Sequence, residues 1–440
     1  MVRPTVCLDV GSGWVKALGI DADGEPTGCA QHLTTQHDLL EGVHAAATAV
    51  GLDGPLTPRR TLESGTELLA CSSAGGGLRL AVVGEERLTA TEAGYQVARS
   101  AGARVVHVQA GLLEPSGVRA LRASRPDVVL LLDGSDTAAE QTLLRNAARL
   151  ARSRVRAPIV LAARGSVRTD ALALLNATGR RVTVSAEVLR SGGGFSPDAA
   201  RSAVAALHTH HLVGGRGSAT TARFRRLARR PTPDAVRRGV LELARARGPA
   251  AGAVLVVDVG FSTTDVYSAV DSSPGAETDT VRCTAEADLG MRPSSQGILV
   301  EGQAEGLVDP VEADLLAPTV RRLAEETDFL PEDAGGRAED RRLAALAAVL
   351  AARRHLRATG PLGSPGIGLV VLTGGVFRQP DQAALAAIRS TLRSDVTLRE
   401  YLDGCPVAVD DGFALAPAGL LAMRGRDKEA RTVLDAALNF

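Results

Sequence analysis

Lysine is nearly missing from this sequence. It occurs only at Lys16 and Lys428, and every other basic side chain is Arg. An Ala- and Arg-rich, Lys-poor chain reads as the product of a GC-rich genome, so a lysine retained against that bias marks a position to watch. Aromatic residues make up 2% of the chain, and the cores must therefore be built mainly from Ala, Val and Leu. Net charge is missing too: Lys+Arg and Asp+Glu both number 50. That balance excludes a global basic field for nucleic acid or for an anionic membrane. The cysteines, Cys7, Cys29, Cys71, Cys283 and Cys405, stand far apart without a C-x-x-C pair. Zinc and iron–sulfur signals are therefore absent, and an odd, scattered set fits reduced thiols. No run of 18 uninterrupted apolar residues occurs, so no membrane span is expected. The N-terminus enters a strand without a basic and apolar leader, and the expected location is cytoplasmic.

What is present is an alternation of strands and helices. The 440 residues, 45% hydrophobic, suffice for two or three domains with their own cores. Thr5–Val10 and Trp14–Ile20 are apolar and joined by Gly11-Ser12-Gly13, which predicts a β-hairpin. Leu68–Cys71 and Leu78–Val83 flank Ser72–Gly77 and read as a second hairpin-like turn. Val128–Leu132, a helix from Ala138 to about Arg152 and Pro158–Ala162 form a βαβ unit with a parallel pair. Ala199–Leu227 is helical at both ends, with a Gly-rich break at Gly214–Gly217. Pro231-Thr232-Pro233 opens a helix over Asp234–Arg247. A restart follows, with strands at Val254–Val259 and Thr264–Val270. Arg341–Arg357 reads as an amphipathic helix with Leu343, Leu346, Val349 and Leu350 on one face. Gly366–Leu372 is a buried strand. The class is α/β with mixed sheets.

The chain also echoes itself. Cys7-Leu8-Asp9-Val10-Gly11-Ser12-Gly13 returns as Val256-Val257-Asp258-Val259-Gly260-Phe261-Ser262. Each copy is an apolar strand ending in Asp-x-Gly, a small polar turn and a returning strand. Two copies half a chain apart point to two lobes of similar fold. Glycine lets such a turn approach a ligand closely. Its amides, with the Ser12 or Thr263 hydroxyl, make a nest for phosphate oxygens. Asp9 and Asp258 at the strand ends can each hold a hydrated Mg2+. One such turn alone is usually only a turn. A third segment, Val370–Val376, places Thr373-Gly374-Gly375 after a buried strand, where backbone can pass close to a flat ligand such as adenosine; alone it is a plain strand–turn junction. Neither lysine sits in a P-loop, and the Gly-rich stretches at Ala74–Arg79 and Ser191–Phe195 lack a G-x-G-x-x-G between strand and helix.

In this order the three segments resemble the two phosphate motifs and the adenosine motif of the actin, sugar-kinase and heat-shock-chaperone ATPase superfamily. Asp9, Gly11, Ser12, Gly13 and Lys16 match the actin-type first motif, so the retained lysine falls where that superfamily often contacts β- and γ-phosphates; otherwise Lys16 is a solvent-facing strand lysine. By the same resemblance Gly260, Ser262, Thr263, Thr264 and Asp265 form the second phosphate motif, and Gly374 and Gly375 the adenosine motif. A narrower resemblance covers nearly the whole chain. Cys71–Arg79, Pro231–Val236, Val257–Tyr267, Asp288–Arg292, Arg354-His355 and Asp410–Leu421 are similar to the glutamate mutase MutL (GlmL) family. That family shares only a name with the mismatch-repair protein, whose signatures are missing here. There are departures. Phe261-Ser262 stand where the family has Gly-Ala, putting bulk beside the phosphate turn. Asp133–Ala138 keeps only Gly134 of the four glycines in the family's Gly-Gly-Thr-Asp-Gly-Gly, and Glu286-Ala287-Asp288 replaces Glu-Gly-Asp.

The resemblance implies two ribonuclease-H-like, actin-type ATPase lobes. Residues 1–251 are expected to form the first, with an inserted α/β subdomain over about 60–250, and residues 252–440 the second. It implies ATP and Mg2+ between them, with Asp9 and Asp258 as the metal-facing, catalytic carboxylates. It also implies an ATP-driven chaperone or reactivator whose partners are subunits of an adenosylcobalamin-dependent glutamate mutase or related enzyme. A small-molecule kinase or an actin-like structural ATPase would use the same cleft. Other candidates are weaker. Asp133 and Asp136 follow a strand end and serve as ligand contacts or as helix caps. His208, His210 and His211 read as a solvated helix face, and Arg223–Arg230 as a solvated basic run.

Overall fold

The computed structural model describes residues 3–35, 37–52, 65–134, 137–190, 194–214, 222–271, 280–360, 362, 366–378 and 382–438. Asp136, Ser135 and positions 191–193 and 215–217, singled out above, lie outside the described residues. In chain order the strands are β1 (Thr5–Val10), β2 (Trp14–Ile20), β3 (Pro26–Leu33), β4 (Glu67–Ser72), β5 (Leu78–Gly84), β6 (Ala103–Ala110), β7 (Val128–Leu132), β8 (Ile159–Ala162), β9 (Val182–Ser185), β10 (Arg230–Pro231), β11 (Ala253–Val259), β12 (Thr264–Val270), β13 (Thr280–Glu286), β14 (Ile367–Thr373) and β15 (Val407–Asp410). The chain divides into two compact units. Met1–Gly76, His211–Thr284 and Asp288–Phe440 make the first; Gly77–His210 and Ala285–Ala287 make the second.

The first unit holds two five-stranded sheets, ordered β10-β4-β1-β2-β3 and β13-β12-β11-β14-β15. In each, the central strand pairs antiparallel with the next strand in sequence and parallel with a later one: β1 with β2 and β4, β11 with β12 and β14. This shared order and strand direction is the ribonuclease-H-like topology, and it occurs twice. The central strands Thr5–Val10 and Ala253–Val259 are near-continuous apolar runs because both of their faces are covered.

Two helices join the halves of this unit. Thr232–Arg247 packs against Leu415–Ala422 backbone to backbone. A β-carbon added at Gly239 would lie 2.0 Å from the Leu415 carbonyl oxygen, and one at Gly419 would lie 1.8 Å from that of Ala235. No residue larger than glycine permits that approach. Around the pair lies a core drawn from both sheets, including Cys71, Val254, Val256, Tyr267 and Val371.

The helix expected at Arg341–Arg357 spans Ala334–Thr359, and it is not amphipathic: every residue from Leu343 to Leu356 is buried. The reason was in the sequence, since Leu343–Ala352 contains no polar side chain, and a helix apolar all round is a buried one. Its polar end enters the interior with partners. Arg353 pairs with Asp395 and Glu305, and Arg354 with Asp288 and Glu301. His355 lies between Thr284 (3.0 Å) and Ser268 (2.9 Å).

The second unit is one all-parallel sheet, ordered β6-β5-β7-β8-β9. The expected βαβ unit is present as β7, helix Thr137–Arg152 and β8. The hairpin expected from Leu68–Cys71 and Leu78–Val83 is not. β4 pairs with β1 and β10, whereas β5 pairs with β6 and β7, so the glycine-rich Ser73–Gly77 turn is the passage from one unit into the other. Asp133 is buried at the end of β7, where Arg164 pairs with it at 3.2 Å. The histidines also depart from the solvated face expected of them. His208 is 5% exposed, and the His211 ring bonds the Gly75 carbonyl at 2.8 Å, which leaves only His210 exposed. Arg223, Arg225, Arg226, Arg229 and Arg230 are exposed, with Phe224 and Ala228 turned inward.

Candidate functional site

The two Asp-x-Gly hairpins have the same local geometry. The Gly11 amide donates to the Trp14 carbonyl at 2.9 Å, and the Gly260 amide donates to the Thr263 carbonyl at 2.9 Å. Asp9 stands across the ladder from Lys16 on β2, and Asp258 across from Asp265 on β12. The repeated backbone thus carries opposite charges at its equivalent positions, an ammonium in one lobe and a carboxylate in the other.

One cleft in the first unit gathers nearly all of the candidate residues. Asp9, Gly11, Ser12, Gly13 and Lys16 line it from the first hairpin, and Asp258, Gly260, Ser262, Thr263 and Asp265 from the second; Gly374 and Gly375 line it from the turn after β14. Thr264 is not among them. It is fully buried and its hydroxyl donates to the Leu289 carbonyl at 2.7 Å, so its oxygen is committed to holding the loop. Gly374 is glycine for a physical reason: its φ is +127°, and a β-carbon there would lie 2.2 Å from the Val259 carbonyl oxygen. This turn therefore sits directly against the end of the second hairpin strand.

Lys16 is not a solvent-facing strand lysine. Its side chain is 19% exposed, its Nζ lies 3.7 Å from Asp9 Oδ2, and it stands 4.8 Å from the centre of the Phe413 ring. Burial alone would depress the ammonium, but Asp9, Asp258 and Asp410 outweigh it and hold the pKa above the ordinary lysine value. Burial raises the Asp258 carboxyl above the usual range, against the opposing pull of Lys16. Asp410 is also raised by burial, with the Ala414 and Leu415 amides acting the other way.

Three residues that sequence reasoning did not single out support the cleft: Thr232 lines it, and Asp410 and Phe413 act on Lys16 from outside its lining. Thr232 donates its hydroxyl to Asp9 Oδ1 at 2.6 Å and thereby fixes that carboxylate from the start of helix Thr232–Arg247. Asp410 accepts from the Ala414 amide (2.8 Å) and the Leu415 amide (3.3 Å), tying β15 to the glycine-packed helix Leu415–Ala422. Phe413, with φ at +57° and 5% exposed, carries Lys16 on its ring and Arg378 at 4.3 Å. Pro231-Thr232 and Asp410–Leu421 did carry the family resemblance, but no local rule ties them to Asp9 or Lys16.

The donor set suits a divalent cation. The cleft is lined by three carboxyls, Asp9, Asp258 and Asp265, against the one ammonium of Lys16, which leaves an excess of negative charge when they are ionised. Among the described residues no cluster of three or more His, Cys, Asp or Glu side chains is set to cage a metal. A cation there would take one or two carboxylates and complete its shell with water and phosphate, which is the habit of Mg2+.

A family model described as MutL protein matches residues 5–438. The chain belongs to the MutL protein family. It is 30% identical over 300 residues to Protein MutL of Clostridium tetanomorphum, an alignment covering 66% of this chain and 64% of that one. The match thus spans less than two thirds of the relative's length. Among solved structures, xylulose kinase from Lactobacillus acidophilus aligns with 99% of this chain and 90% of its own, at 11% identity and a TM-score of 0.36. A ROK family glucokinase from Streptomyces griseus aligns with 96% and 98%, at 12% identity and a TM-score of 0.34. Among the described residues no helix is long and apolar enough to cross a membrane.

Proposed function

We propose that the paired-hairpin cleft binds Mg2+–ATP and that the protein is an ATP-dependent accessory factor, a chaperone or reactivator, of an adenosylcobalamin-dependent glutamate mutase or related mutase. The observation that carries the nucleotide reading is the convergence of two identical Asp-x-Gly turns on Lys16, with the Gly374-Gly375 turn closing the third side. Turn amides and the Ser12 and Thr263 hydroxyls are donors for phosphate oxygens. Lys16, held charged beside Asp9, would contact the terminal phosphates. Asp9 and Asp258 would hold the metal, which supplies charge neutralisation on the phosphates. An adjoining cavity of about 210 Å³, lined by Trp14, Leu33 and Met291 on one hand and by Arg292, Asp328 and Asp340 on the other, would offer the base a seat of mixed apolar and polar character.

The mutase reading rests on membership of the MutL family. ATP binding that draws the two lobes together would supply free energy for opening a partner, because a nucleotide shifts a two-state equilibrium by its differential affinity for the states. The mutase reading is tested by co-purification. Tagged protein applied with Mg2+ and ATP should retain a cobalamin-carrying protein, seen by its visible absorbance. Recovery of no such protein under any nucleotide condition would remove the mutase reading.

A further inference from the structure

Lys16 is held by very little. Its Nζ lies 3.7 Å from Asp9 Oδ2, beyond hydrogen-bond distance, and among the described residues no oxygen accepts a hydrogen bond from it. Its other contact is the ring of Phe413, whose centre is 4.8 Å from Nζ. An ammonium over an aromatic face is attracted by the ring's quadrupole, an interaction that uses up no N–H donor. All three donors of the ammonium therefore stay available to a ligand.

Phe413 stands there under backbone strain. Its φ is +57°, where a bulky side chain is an outlier, although Gly412 beside it could take such a φ freely and does not. Strain of this kind persists only where the surroundings impose it, and it gathers at functional sites. Here it is imposed from both sides of the loop. Asp410 accepts the Ala414 and Leu415 amides, and Arg378 donates to the Asp411 carbonyl at 3.1 Å while standing 4.3 Å from the same ring. Phe413 is 5% exposed and lines neither the cleft nor the adjoining cavity. The ring touches Lys16 without touching the space assigned to the nucleotide.

Resting on the nucleotide reading above, we infer that Phe413 is a positioning residue: its ring, carried by the loop between β15 and helix Leu415–Ala422, holds the Lys16 ammonium in the cleft wall with its donors free for the terminal phosphates. The lysine belongs to the first sheet and the ring follows the last strand of the second, so the phosphate contact of one sheet is steadied from the other. Without the ring the charge remains, but the flexible lysine stem must be ordered by the ligand itself.

The test is a double-mutant cycle on Phe413→Leu and Lys16→Ala, titrated calorimetrically with ATP and AMP. Leu keeps the apolar bulk and loses the quadrupole. Phe413→Leu should weaken ATP binding roughly three- to tenfold and AMP binding by less than about twofold. In the Lys16→Ala background the same substitution should change ATP affinity by less than about twofold, because no ammonium is left to position. A second measurement needs no substitution. Lysine occurs only at Lys16 and Lys428, so protein isotope-labelled at lysine Cε gives one side-chain signal for each in nuclear magnetic resonance. Exposed Lys428 is the reference. A ring current shifts protons above an aromatic face upfield, so the Lys16 signal should lie upfield of Lys428, move with ATP but not with AMP, and fall back in Phe413→Leu. Should Phe413→Leu fail to fold, the wild-type lysine signals decide alone. Coincident lysine signals, an unchanged ATP affinity in Phe413→Leu, an ATP loss as large in the Lys16→Ala background, or equal losses for ATP and AMP would each overturn the positioning role and leave the nucleotide reading standing. No nucleotide bound by wild type removes the nucleotide reading and the role of the ring with it.

Discussion

Replacing Lys16 by Ala separates a phosphate-binding lysine from a structural one. The ammonium lies 3.7 Å from Asp9 Oδ2 and is 19% exposed, a position where charge interactions are strong but partly screened. A hydrogen bond to a charged group is worth about 1.5–3 kcal/mol; the partial exposure places Lys16 in the lower half of that range, about 2 kcal/mol. ATP affinity should therefore fall by roughly 10–30-fold. AMP affinity should change by less than about twofold, since AMP has no phosphate at that end. The pH dependence follows from the direction of the shift. A raised lysine pKa keeps the ammonium charged below and through the ordinary lysine value, so ATP discrimination should be flat between about pH 7.5 and 9, above the phosphates' own titration at about 6. Calorimetric titration of wild type and variant with both nucleotides reads the result. Equal losses for ATP and AMP would refute the phosphate role and leave Lys16 as a counter-charge for the carboxylates.

If they hold the metal as proposed, Asp9→Asn and Asp258→Asn should each lower Mg2+-dependent ATP hydrolysis by roughly tenfold or more, measured as phosphate release. Gly419→Ala should destabilise the first unit by about 3 kcal/mol, seen in thermal unfolding, since its β-carbon would collide with the Ala235 carbonyl at 1.8 Å and neither backbone can yield. Burial depresses His355 from 6.5 to about 4, with Arg282 adding to the effect. Because the folded value lies below the unfolded one, this contribution is complete above pH 6.5 and is lost as pH falls toward 4. It amounts to up to about 3 kcal/mol, and His355→Gln should flatten denaturant midpoints measured across that window.

The site was legible where its chemistry is local. An apolar strand ending in Asp-x-Gly and a small turn is written in consecutive residues, so Asp9, Asp258 and their glycines could be read directly, and the compositional rarity of lysine drew attention to Lys16. What stayed hidden is what arrives from elsewhere in the chain. Thr232 reaches Asp9 across 223 positions, and Asp410 and Phe413 meet Lys16 only after β15 has joined the second sheet. The Ser73–Gly77 turn misled because a glycine turn between two apolar runs fixes a reversal of local direction, not the partner of each strand. The helix at Ala334–Thr359 misled differently. The leucine spacing suggested one apolar face, but alanines filled the others, and a helix with no polar face has to be interior. Phe261 was visible as bulk beside a phosphate turn; its place against Gly13 depends on how the two hairpins meet.

The central claim is that ATP in this cleft does work on a cobalamin enzyme. It is tested most directly with a mutase inactivated by loading it with a non-adenosyl cobalamin, then given this protein, Mg2+–ATP and fresh adenosylcobalamin. Mutase activity should return only when both the protein and ATP are present, and the Asp258→Asn protein should fail to restore it. Recovery that proceeds equally well without ATP, without this protein or with the Asp258→Asn variant would contradict the account.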